Sequence, residues 1–232
     1  MFSITIAPPA DRLQARVDVD FGVGEQAFRA SSAKGPEQRI GVHATAGRWT
    51  FLGRFGLASI DSQVETSQQG EVLFTIRATG VTLAAGGGLL HEAGGTNVLL
   101  ARVAGGRSAK SWRADGNVLF QKPLEEGRDA LDMIVSGGWG RKLGRSHLVG
   151  LEGIGEDLEG FWEHNEAEGG ARLLVGPSWH LAPPDRRWQL SVVGGPVFRA
   201  TSSGRANDAL RDLPPVVSSV SYAVKLSFSA SF

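Results

Sequence analysis

The 232-residue chain contains no cysteine. That absence removes disulfide scaffolds, thiolate metal sites and cysteine nucleophiles together. Charge of one sign is not in excess either: 24 Lys and Arg balance 24 Asp and Glu. The usual electrostatic reason to expect a nucleic-acid partner is therefore missing. No stretch reaches the roughly 18 consecutive apolar residues that a transmembrane helix needs. The opening MFSITIAPPA lacks the basic n-region of a signal peptide. Neither a fixed-period repeat nor a break in composition divides the chain, so the expectation is one domain over 1–232, with residues 1–11 as a short N-terminal segment.

Glycine is abundant, 32 residues, roughly twice ordinary usage. It is scattered among apolar residues rather than gathered into a linker. The dominant signal is period-two alternation, which in a strand sends successive side chains to opposite faces. In LQARVDVDFGVG, residues Leu13, Ala15, Val17, Val19, Phe21 and Val23 oppose Gln14, Arg16, Asp18 and Asp20. Ile40, Val42 and Ala44, then Trp49, Phe51, Phe55 and Leu57, continue the apolar face, with His43, Thr45 and Arg54 opposite. Further segments fall near 71–79, 81–91, 97–105, 110–121, 129–140, 146–155, 169–180, 187–199 and 219–232, giving twelve in all. The glycine-rich 81–90 and the segment 97–105 depart furthest from alternation, so the range is ten to fourteen.

Short links near Gly47, Thr79-Gly80, 106–109, 141–145 and 182–186 alternate with longer polar ones near 27–38, 59–70, 92–96, 122–128, 156–168 and 200–218. An even number of antiparallel strands with short turns at one end and longer loops at the other describes an up-and-down transmembrane barrel. A soluble β-sandwich also alternates. Tryptophan separates the two, because Trp49, Trp112, Trp139, Trp179 and Trp188 sit within a few residues of a short turn on the apolar face. An aromatic girdle at a membrane interface puts them there; Trp162 alone falls in a long loop.

The terminal SYAVKLSFSASF carries Tyr222, Val224, Leu226, Phe228, Ala230 and Phe232 on one face. It resembles the closing strand of Gram-negative outer-membrane β-barrels, which ends in Phe after alternating apolar residues and is read by the barrel-assembly machinery. The resemblance implies a porin-like protein of a Gram-negative outer membrane, with residues 1–11 on the periplasmic side. Tyr222, Leu226, Phe228 and Phe232 then act as an assembly signal, and membrane lipid and lipopolysaccharide are partners. The last strand is expected to pair with 12–24, since an open sheet edge does not survive in hydrocarbon. Pro177 and Pro196 fall inside strands, where proline cannot donate to the ladder; bulges, or shifted boundaries, are expected there.

With the apolar face toward lipid, the lumen is expected to be lined by Arg16, Asp18, Asp20, Arg54, Arg77, Arg102, Arg113, Asp115, Asp132, Glu152, Arg172, Arg199 and Lys225. Charges of both signs fit a pore whose rings of charge set selectivity, and they fit equally a plug of ion pairs. The acidic run Glu156, Asp157, Glu159, Glu163, Glu166 and Glu168, around Trp162 and His164, matches no EF-hand spacing and reads as a solvated outer loop. Ser146-His147 is the one adjacent serine–histidine pair, and its members point to opposite faces. There is no G-x-S-x-G and no H-E-x-x-H. His43 and His180 read as polar lumen residues, and the glycine runs lack phosphate-loop spacing. Neither enzyme activity, nor a cofactor, nor a metal is expected. The leading expectation is a small pore for polar solutes. The alternatives are a non-conducting barrel that docks an unknown protein partner through its outer loops, and a soluble all-β binding domain.

Overall fold

A computed structural model describes residues 10–24, 36–60, 63–92, 95–124, 131–161, 171–184, 187–200 and 219–232. Twelve strands form a closed antiparallel barrel in which each strand pairs with its neighbours in sequence. They are β1 Ala10–Gly24, β2 Glu37–Gly47, β3 Trp49–Ile60, β4 Gln63–Arg77, β5 Thr82–His91, β6 Asn97–Ser108, β7 Trp112–Pro123, β8 Asp132–Leu143, β9 His147–Glu156, β10 Ala171–Leu181, β11 Trp188–Ala200 and β12 Ser219–Ser231. A 3₁₀ turn, Leu158–Phe161, follows β9. The expected all-β barrel of twelve strands is the observed one.

Closure joins β12 to β1, from Arg16 opposite Ser231 to Gly24 opposite Ala223. Phe232 continues the seam beyond the last strand residue: its N–H donates to the Ala15 carbonyl at 2.9 Å, and its carbonyl accepts from the Ala15 N–H at 3.3 Å. The closed sheet has no free edge strand, so each strand pairs on both sides. The N-terminal boundary moves, because β1 begins at Ala10 rather than after residue 11; residues 1–9 lie outside the described residues.

Large apolar side chains stand bare on the outer surface, among them Val19, Phe21, Val42, Phe55, Leu99, Val103, Leu151, Val224 and Leu226. A continuous belt of this kind is untenable in water. It is what a hydrocarbon layer covers.

Two expectations are corrected. Residues 59–70 are not a long loop, since β3 runs to Ile60 and β4 starts at Gln63. The stretch QVETSQQG looked like a loop because it is polar on both faces; a strand whose outer half stands clear of the lipid needs no apolar face. Second, Pro177 and Pro196 create no bulge. Leu174 pairs with Val197 and Ser178 with Val193 in one unbroken register, with the ladder lapsing only between them. Pro177 stays paired with Leu151 on β9 and Pro196 with Tyr222 on β12. Both prolines thus turn their missing N–H toward one shared seam, β10 against β11, and the cost is confined there. The glycines of β5 lie in the strand expected over 81–91. A Cβ on Gly86 would stand 1.9 Å from the Val72 carbonyl oxygen, and one on Gly88 2.0 Å from that of Gly70, so neighbouring backbone fills the space a side chain would need.

Candidate functional site: the barrel interior

Register decides which residues share the interior. Asp18, Gly41, Arg54 and Gln69 stand side by side across β1 to β4. Arg102 lies opposite Gly86 and Leu119; Glu152 lies opposite Gly138 and Gly176. Of the residues expected to line the lumen, Arg16, Asp18, Asp20, Arg54, Arg102, Arg113, Asp115, Asp132, Glu152, Arg172, Arg199 and Lys225 all fall on this inward face. Arg77 does not line it. It is the last residue of β4, follows a register shift at Thr75, is exposed, and donates to the Thr79 carbonyl in the adjoining turn.

The interior charges are mostly paired, and the pairs differ in wetness. On the β12–β1–β2 side, Lys225 Nζ lies 2.9 Å from Asp20 Oδ2, with side chains 20% and 23% exposed. Arg16 lies 3.0 Å from Asp18, and Asp18 meets His43 Nε2 at 2.8 Å. Arg39 pairs with Glu37 and remains 34% exposed. Across the barrel, Arg102 grips Glu71 through two parallel bonds of 2.7 and 2.8 Å, with Glu71 only 1% exposed. Arg113 binds Asp115 at 2.6 Å near the short-turn end, and Arg172 stands 3.7 Å from Glu156 at the long-loop end.

Apolar side chains fill much of the remaining interior, which alternation alone did not reveal. Leu52, Leu73 and Ala84 form one buried cluster. Leu174 and Val197 form another with Ile154 and Ala223 against them, and Val98, Leu100 and Leu119 a third with Leu90 and Ile134. All of these point inward by register, yet Val98, Val193 and Val197 are wholly inaccessible. Water therefore does not wet the inner face of β5 to β11 at this level.

A polar tie crosses three strands of that dry wall. His180 Nε2 lies 2.6 Å from Glu152 Oε1, and His180 Nδ1 lies 2.9 Å from Ser191 Oγ. In the neutral imidazole whose Nε2–H donates to the carboxylate, Nδ1 accepts from the serine hydroxyl. Gln189 Nε2 donates to the same Ser191 oxygen at 2.8 Å. This order of serine, imidazole and carboxylate is that of an activated nucleophile, but Ser191 is 3% exposed. The group works as a tie between β9, β10 and β11. Sequence reading missed it because its members meet only through strand register.

The five tryptophans Trp49, Trp112, Trp139, Trp179 and Trp188 lie on the outward face in the short-turn half of β3, β7, β8, β10 and β11. Trp49 packs against Phe74, ring centroids 4.9 Å apart, and Trp179 against His147 at 5.9 Å. Tyr222, Val224, Leu226 and Phe228 project outward from β12, and Phe232 is 81% exposed. Trp162, His164, Glu163, Glu166, Glu168 and the 201–218 loop lie outside the described residues.

No family model matches the chain, and comparison with characterised protein sequences finds no match. Solved structures do match in fold. The KdgM porin aligns over 93% of this chain and 99% of its own at 8% identity, with a TM-score of 0.58. The NanC porin aligns over 92% and 98% at 10% identity, with a TM-score of 0.60. At these identities the likeness is one of fold, a closed antiparallel β-barrel.

Proposed function

We propose that the protein is a barrel of a Gram-negative outer membrane that passes small polar solutes passively through a charged lumen, without catalysis. The observation that carries this reading is the accessible charged strip on β12, β1 and β2, where Lys225, Asp20, Arg16 and Arg39 stay partly solvated inside an otherwise apolar-jacketed cylinder. Charges kept wet within a membrane-spanning wall fit ions and polar solutes in transit. Dry walls on the opposite side restrict the passage to small molecules.

The filled interior favours a second reading, a non-conducting barrel that docks a protein through its long loops. Planar-bilayer recording of the folded protein separates the two. Stable single-channel steps are expected, and silence of a correctly folded barrel leaves the docking reading. Lipopolysaccharide and lipid contact the apolar belt in either case. Recognition of the Tyr222, Leu226, Phe228 and Phe232 face by the assembly machinery belongs to the same proposal; deletion of Phe232 is expected to lower membrane insertion.

A further inference from the structure

Resting on the pore reading, we propose that the conducting path is off-axis, confined to the β12–β1–β2–β3 wall, and that Arg54 on this wall makes it prefer anions. Arg54 projects inward from β3 and is partly accessible. Among the described residues it makes no ion pair and no side-chain hydrogen bond. It feels the charges of Arg102, Arg39, Glu71 and Asp20, but each of these is already engaged: Arg102 with Glu71, Arg39 with Glu37, Asp20 with Lys225. A cation without a counter-ion in a confined polar space attracts a mobile anion.

Beside Arg54 the wall is closely packed at a buried glycine. Gly41 stands between Asp18 and Arg54 in register, and a Cβ there would come 3.6 Å from Arg54 Cγ and 3.7 Å from Asp18 Cβ. Gly41 thus separates an acid tied to Arg16 and His43 from an arginine that has no ion pair among the described residues. Arg113 is inward as well, but Asp115 neutralises it at 2.6 Å. Two arginines that look equivalent in sequence thus differ in role.

The test uses the full barrel in planar bilayers under a KCl gradient, with Arg54→Glu and Arg113→Glu compared. The wild type is expected to show a reversal potential on the chloride side. Arg54→Glu shifts it to the potassium side, and Arg113→Glu leaves its sign unchanged. Because the chain has no cysteine, single-cysteine variants map the path directly. A negatively charged thiol reagent is expected to block conductance in Arg54→Cys and Ser229→Cys, and to spare Ser136→Cys and Ser178→Cys, whose inward side chains are buried. Conduction whose ion preference ignores Arg54→Glu, or equal block at all four cysteines, overturns this path and leaves the pore standing. Silence of the folded wild type overturns the pore and the path together.

Discussion

The two sides of this barrel wall obey different rules. Along β12, β1 and β2 the inward charged side chains Lys225, Asp20, Asp18, Arg16 and Arg39 stay partly wet. From β5 to β11 the inward face carries buried Leu100, Leu119, Leu174, Val193 and Val197 beside dry pairs such as Arg102 with Glu71 and His180 with Glu152. The difference teaches that alternation reports what lies outside a barrel strand and says little about what lies within. A strand with lipid outside and water inside alternates cleanly. One with lipid outside and packed side chains inside reads as a nearly continuous apolar run, as strands buried on both faces do.

The sharpest way to break the comparison is to strip one charge from each side. Glu71→Ala leaves Arg102 buried without its partner, and such a loss costs about 3–5 kcal/mol. It is expected to lower the urea midpoint of the barrel refolded in phospholipid vesicles, followed by tryptophan fluorescence. An unchanged midpoint would mean that water reaches Arg102 and that the dry wall is wet.

Next comes Leu174→Ala. The side chain is 1% exposed and packs inward against Val197, Ile154 and Ala223, so truncation costs about 2–5 kcal/mol if the cavity stays empty. The same readout applies. A loss below that range, accompanied by larger single-channel steps, would show that the truncated wall opens onto the lumen instead of leaving a sealed void.

This contrast also explains what the residues disclosed beforehand. β1 and β12 were legible because DVDF and SYAVKLSF place every large apolar residue on one face, and closure between them followed from the requirement that no edge remain. The girdle tryptophans were legible by their distance from short turns. In β6, VLLARVAG carries Val98 and Leu100 inward and Leu99 and Val103 outward, and no local signal tells the two sets apart. RLLVG in β10 hides Leu174 in the same way. Arg54 and Arg113 carried identical weight, since pairing is decided by which neighbours stand alongside: Asp115 lies two residues from Arg113 on its own strand, whereas Arg54 faces Gly41 and Gln69. The Ser191, His180 and Glu152 tie depended on the registers of two hairpins together. Arg77 was assigned to the lumen by parity, which a register shift at Thr75 makes unreliable at a strand end.

The smallest expected effect on stability falls on the wet side, with Asp18→Asn. Arg16 is 30% exposed, so water solvates the guanidinium when its carboxylate is gone, and the asparagine oxygen still accepts a hydrogen bond from His43. The loss is that of a solvated pair, about 0–1 kcal/mol, too small to move the urea midpoint much. The electrical effect is larger because the same water that softens the energetic penalty carries the ions. Removing one negative charge beside Gly41 leaves Arg16 and Arg54 facing the lumen together, and the reversal potential is expected to move further toward chloride. A stability loss as large as that of Glu71→Ala, with no change in ion preference, would place Asp18 in a dry wall and erase the distinction between the two sides.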